Sequence, residues 1–185
     1  MNQRGDDSPM IYQDGTPVTE VILHTTATAK GWYANRSVEE KRNEIDRWHR
    51  DRRFRMIGYH YVVDRDGTVA KGRDEDDPGA HVKGHNHGTI GIALVGGLGG
   101  KSNDPFSDNY TSEQRQAVWK LLRDIAKRTD LRKVTGHNDY TNLKECPCFL
   151  AAEEFPWPPA FSDEGKPSIL QSIIEFLINL LRRKR

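Results

Sequence analysis

Apolar and polar positions along this chain alternate between strand-like and helix-like periods. Val21, Ile22 and Leu23 form a short apolar run that ends on His24 and passes into Thr25-Thr26-Ala27-Thr28, the pattern of a strand with His24 at its end. A helical period begins at Ser37. There SVEE offers a capping box, with Glu40 three positions after Ser37, and predicts a charged helix through about Arg52 whose buried stripe carries Ile45 and Trp48. The β-formers from Ile57 to Val63, the Asp66-Gly67 turn and the residues after it predict a hairpin. The loop HVKGHNHG then leads into Thr89 to Val95, whose unbroken apolarity predicts a central strand covered on both faces. Thr111 and Gln114 repeat the capping-box spacing and open a helix through about Arg128, with Val118, Leu121, Leu122 and Ile125 inward. A short strand, Lys133 to Gly136, follows. Strand, helix, hairpin, strand, helix, strand predicts a mixed sheet flanked by helices, of the α/β or α+β class.

The 185 residues suffice for one domain with appendages. We divide the chain into an N-terminal arm (1–17), a main domain (18–154), a linker (155–167) and a tail (168–185). The linker rests on FPWPPAFSDEGKP, which holds four of the nine prolines. In the tail, Gln171, Ser172, Glu175 and Asn179 gather on a narrow polar face opposite Ile169, Ile173, Phe176, Leu177 and Leu180. At about 1.5 Å per residue this amphipathic helix is about 21 Å long, short of the ~30 Å hydrocarbon core. Ending in Arg182-Arg183-Lys184-Arg185, it suits an anionic membrane surface, or equally docking on the domain or on another chain. The formal net charge of +1 names no partner, and nucleic acid is not expected because acids balance the bases outside the last four residues. The first 15 residues show no apolar signal segment, so synthesis in the cytoplasm is expected.

Cys146 and Cys148 stand too close for an unstrained mutual disulfide. Cys146 follows the loop NDYTNLKE, which can fold back beside His137 at the end of VTGH. With His24 as a third donor, a metal site becomes conceivable, since zinc takes imidazole nitrogen and thiolate sulfur and its catalytic sites keep one corner for water. Singly, a strand-end histidine is more often structural, and His-x8-Cys is not a specific spacing.

The segments VILHTTAT, RWHRDRRFRMIGYHYVVDRDGTVAKGRDED, HVKGHNHGTIGIALVGG, NYTSEQ and GHNDYTNLKECPCF occur in the order and approximate spacing of zinc-dependent N-acetylmuramoyl-L-alanine amidases. Across Val21 to Phe149 the chain resembles the phage lysozymes of that family, relatives of peptidoglycan recognition proteins. The resemblance implies one zinc per chain on His24, His137 and Cys146, with Tyr59 and Lys144 assisting catalysis. Alone, Tyr59 reads as a core aromatic and Lys144 as a solvated loop charge. The implied reaction is zinc-assisted hydrolysis of the amide between N-acetylmuramic acid and L-alanine in bacterial peptidoglycan, causing host lysis. It would occur in the periplasm after membrane permeabilisation, by a protein expected to be a monomer.

His49 and His60 read as structural. His81, His85 and His87 read as a polar rim or a second metal site, and in the family this loop lines the substrate groove, which makes His81 and Asn86 candidates for holding glycan or peptide. Family members often carry glycine after the Cys-Pro pair where this chain has Cys148. Two rival readings follow: a non-catalytic peptidoglycan-binding module, and a closed structural zinc site with Cys148 as fourth ligand.

Overall fold

The computed structural model describes residues 15–159, so the tail helix, the N-terminal arm up to residue 14 and the linker beyond residue 159 lie outside the described residues. The elements are β1 (Glu20–Thr25), α1 (Val38–Asp51), β2 (Tyr61–Val63), β3 (Val69–Lys71), β4 (Thr89–Leu94), α2 (Phe106–Asn109), α3 (Ser112–Ala126), β5 (Lys133–Gly136) and α4 (Ala151–Glu154). They build the mixed sheet flanked by helices that the pattern predicts. Strand order is β3-β2-β4-β1-β5, with β4 in the middle, and every pairing is parallel except the β2–β3 hairpin.

Period-two alternation sorts each strand's side chains between two cores. Val21 and Leu23 of β1, Tyr61 and Val63 of β2, and Ile90, Ile92 and Leu94 of β4 pack with Val118, Leu122 and Ile125 of α3. Val62 and the residue after β4, Val95, face the other way and pack with Val38 and Ile45 of α1. On β4 this second face is nearly bare, because Gly91 and Ala93 alternate with the large residues of the first. At Gly91 that space is taken by the ring of His81.

Both long helices start at the predicted capping boxes, Ser37 with Glu40 and Thr111 with Gln114. Gln114 also donates its side-chain amide to Val63 O and Val95 O, fastening α3 to the ends of two strands. The strand predicted from Ile57 starts only at Tyr61, because the Ile57 and Gly58 amides donate to Asp46 and His49 of α1 and not to a sheet neighbour. The four-residue helices α2 and α4 are too short to show a period in sequence. They flank a cluster of Phe106, Phe149 and Phe155. The start of the proline-rich segment belongs to this packing: Phe155 is fully buried, and Trp157 donates its indole N–H to Leu131 O at 2.7 Å.

α1 is tied to the sheet by an ion pair between Lys41 and Asp64, buried at 5% and 6% side-chain exposure, with both carboxylate oxygens within 2.8 Å of Nζ. Removing one partner strands a buried charge. Lys41→Met is expected to cost about 3–5 kcal/mol in chemical denaturation, and adding Asp64→Leu to recover most of that loss.

Candidate metal centre and active-site cleft

Because β1, β4 and β5 are parallel, their carboxyl ends emerge at one edge of the sheet, where open α/β sheets place their ligands. Leu23 is in register with Gly136, so His137, the next residue after β5, leaves the sheet beside His24. Their ring centroids are 4.9 Å apart. The chain from Asn138 to Cys146 then folds back on itself, closed by a hydrogen bond from Asn138 N to Cys146 O at 2.7 Å. Cys146 Sγ accepts the Thr25 amide at 3.2 Å, which pins the thiol to the end of β1. One donor atom from each of His24, His137 and Cys146 thus falls within 4.8 Å of the others, the one such His/Cys/Asp/Glu cluster among the described residues.

The electrostatics keep these groups uncharged until something cationic arrives. His24 is 0% exposed, and burial, then the neighbouring His81 and His137, hold its pKa well below the ordinary histidine value. Burial, then the neighbouring Lys144, also lowers the pKa of His137. Both imidazoles are therefore neutral near pH 7, with a lone pair to give. Burial pushes the Cys146 thiol up to about 12, a state that a coordinated cation reverses outright.

The donor set suits zinc, and so does the spacing. His24 Nδ1 lies 3.6 Å from Cys146 Sγ, and a tetrahedral zinc about 2.0 Å from nitrogen and 2.3 Å from sulfur would separate such atoms by about 3.5 Å.

His137 and Cys146 line an open cleft of about 530 Å³, with His24 buried behind them. Tyr59 and Lys144 line the same cleft. The Tyr59 ring centroid lies 5.1 Å from that of His24, and burial raises its phenol pKa above the ordinary value, so it remains an O–H donor. Lys144 is exposed at the rim. Glu145 is the acidic residue of the lining, and its carboxylate accepts from the Ser102 amide and hydroxyl, each at 2.7 Å. Sequence reasoning put Trp48 in the buried stripe and gave Arg52 and Phe54 no role, yet all three line the cleft. The available signal was Phe54, an aromatic just past the end of a charged helix and left exposed.

The remaining histidines divide clearly. His49 Nδ1 accepts the Gly58 amide. His60 Nδ1 accepts the Gly91 amide, and its Nε2 lies 3.0 Å from Asp77 O. Both are buried and fill structural roles, and burial lowers each pKa to about 4. His85 and His87 are exposed and outside the metal-competent cluster. His81 borders the cleft but is 8% exposed, with Nδ1 3.0 Å from His24 Nε2 and Nε2 3.4 Å from Thr89 Oγ1. Asn86 directs its side-chain oxygen to the backbone amides of His81 and Val82, bracing the loop. Cys148 is buried and outside the cluster, and its thiol donates to Gly97 O at 3.4 Å.

Two neutral imidazoles and one thiol meeting beside an open cleft fit the donor set of a zinc centre with three protein ligands. The sequence pattern of the N-acetylmuramoyl-L-alanine amidases matches residues 14–149, and the chain belongs to this family. It is 34% identical over 131 residues to an endolysin of Klebsiella phage KP32, covering 71% of this chain and 81% of that one. It is 39% identical over 106 residues to an endolysin of Escherichia phage T7, covering 57% and 68%. Among solved structures, the N-acetylmuramoyl-L-alanine amidase LysC from Clostridium intestinale aligns with TM-score 0.57 at 27% identity, over 71% of this chain and 78% of that one. Drosophila PGRP-LB shares the fold, with TM-score 0.62 at 23% identity over 86% and 92%.

The two cysteines are expected to separate cleanly in equilibrium dialysis against zinc. Cys148→Ser should retain one zinc per chain, and Cys146→Ser should lose it.

Proposed function

We propose that this chain is an endolysin-type peptidoglycan hydrolase that cleaves the amide between the lactyl group of N-acetylmuramic acid and L-alanine. The observation that carries this reading is the convergence of His24, His137 and Cys146 within 4.8 Å, with His137 and Cys146 lining an open cleft. Membership of the amidase family and the endolysin names of the phage relatives support it.

His24, His137 and Cys146 would hold one zinc, the imidazoles by lone pairs that burial keeps free of protons. When bound, zinc would supply Lewis acidity, bringing the pKa of a coordinated water down toward neutrality and polarising the scissile carbonyl. The protein's own part is to receive the negative charge that develops on the lactyl oxygen. Lys144 brings a cation whose field reaches both His137 and Cys146, and Tyr59 brings an O–H that burial keeps protonated. Glu145 is committed to Ser102, which leaves Tyr59 and Lys144 to offer their hydrogens to that oxygen.

A binding module that does not cut would have no use for the three metal donors, and their presence together favours the enzyme. Residues 18–154 form the catalytic domain in this reading, and the cationic amphipathic sequence 168–185 is a lipid-surface anchor acting during lysis. The protein would work as a monomer on the wall once the membrane has been opened.

Zinc-loaded protein should release free L-alanine amino termini from purified peptidoglycan, and chelation should abolish that release. Well-folded, zinc-loaded protein that releases none would return the chain to the binding-module reading. Tyr59→Phe and Lys144→Ala should each lower kcat about 100-fold or more, the usual loss for an oxyanion donor, with zinc content unchanged. Deletion after Pro167 should leave turnover on soluble fragments intact and abolish sedimentation with anionic liposomes; unchanged sedimentation would exclude the anchor.

A further inference from the structure

The ring of His81 sits in a pocket prepared for it. A Cβ added at Gly91 of β4 would lie 2.6 Å from His81 Cδ2, and one added at Gly79 would lie 2.3 Å from the same atom. One glycine two residues before His81 and one on β4 thus clear the volume that this imidazole fills. Its backbone is fixed as well, since Asn86 Oδ1 accepts from His81 N at 2.8 Å. The two ring nitrogens then point along a line: Nδ1 to His24 Nε2 at 3.0 Å, and Nε2 to Thr89 Oγ1 at 3.4 Å.

Proton directions along this line follow from its two ends. At one end the Thr89 hydroxyl is directed at carbonyl oxygens, His85 O at 2.9 Å and Asn86 O at 3.1 Å, so it donates there and accepts from His81 Nε2. His81 Nδ1 is then the bare, accepting nitrogen, and His24 must carry its proton on Nε2. At the other end this leaves His24 Nδ1 as the lone-pair nitrogen, and Nδ1 is the atom that faces Cys146 Sγ at 3.6 Å.

We propose that His81 is the positioning residue of the metal centre, accepting the His24 Nε2 proton so that His24 presents Nδ1, correctly turned, to the metal. This rests on His24 being a ligand. It assigns His81 a role that sequence alone did not suggest, because the sequence put this residue at the substrate. Partners of this kind fix the tautomer and orientation of a ligating histidine, and their loss typically weakens metal binding about 10- to 100-fold.

Leucine and asparagine have nearly the same shape, and only asparagine offers an acceptor close to where His81 Nδ1 sits. His81→Leu is expected to raise the zinc dissociation constant about 10- to 100-fold in competition with a chromophoric chelator. His81→Asn should bind zinc closer to the parent. Equal affinity of the two variants would overturn the proposal, since a purely space-filling role cannot tell them apart.

A second measurement needs neither variant nor metal. Nitrogen-15 NMR of the metal-free parent chain should show His24 protonated at Nε2, with that proton shared with His81 Nδ1. A proton on His24 Nδ1 would overturn the proposal whether or not the variants fold. A parent chain that bound no zinc would instead refute the metal reading itself, and with it any role for His81 in presenting His24 to a metal.

Discussion

Because β1 runs parallel to both of its neighbours, three strands release their chains at one edge of the sheet, and the register of those pairings decides what meets there. Leu23 opposite Gly136 sets His24 beside His137, and His24 opposite Ala93 sets the imidazole over a strand position too small to crowd it. A slip of one residue in β1 would turn His24 toward α3 and bring a leucine to the cleft. Such a slip is opposed by the packing, since it would also move Val21 and Leu23 out of the larger core. The hydrophobic alternation that stabilises the sheet is therefore what aims the chemistry.

The same edge carries an unusual concentration of buried polar groups, and each needs a partner to be tolerated there. His24 has Cys146 on one nitrogen and His81 on the other, and Cys146 has the Thr25 amide. His60 is satisfied at both ring nitrogens by backbone groups. Burial takes water from any charged form, which is why it lowers the histidine pKa values and raises that of the cysteine, and neutral imidazoles and a thiol share this small space without that cost.

Much of this could be read from the sequence, and the boundary of what could not has physical causes. Strands and long helices announce themselves by period and by capping boxes, so β1, β4, α1 and α3 were visible. The strand-end positions of His24 and His137 were visible for the same reason. Their adjacency was an inference about pairing, and Cys146 joined them only through a loop whose closure depends on one backbone hydrogen bond, Asn138 to Cys146. Tyr59 and Lys144 came from resemblance, because a tyrosine before a strand and a lysine in a loop carry no local signature. The buried place of His81 was hidden because nothing in the run HVKGHNHG shows that Gly79 and Gly91 hollow out its pocket. In β4 the alternation of large residues with Gly91 and Ala93 was present in the sequence, but read as unbroken apolarity it concealed a bare strip beside the cleft.

A three-donor centre stays open only if nearby groups that could complete it are held elsewhere, and here each is. Cys148 sits two residues from Cys146, yet its backbone adopts the left-handed conformation at φ 74°, and its thiol is turned to Gly97 O. That conformation is readily available to glycine and costs other residues roughly 1–2 kcal/mol, which accounts for the glycine often found at this point in relatives. His81 is engaged by His24 and Thr89, His49 by the Gly58 amide, and Glu145 by Ser102. None of them joins His24, His137 and Cys146 within 4.8 Å, and a filled fourth position would make a structural site in place of a catalytic one. Hydrogen bonds outside the triad thus satisfy these other polar groups that line the cleft and leave the three donors to one another.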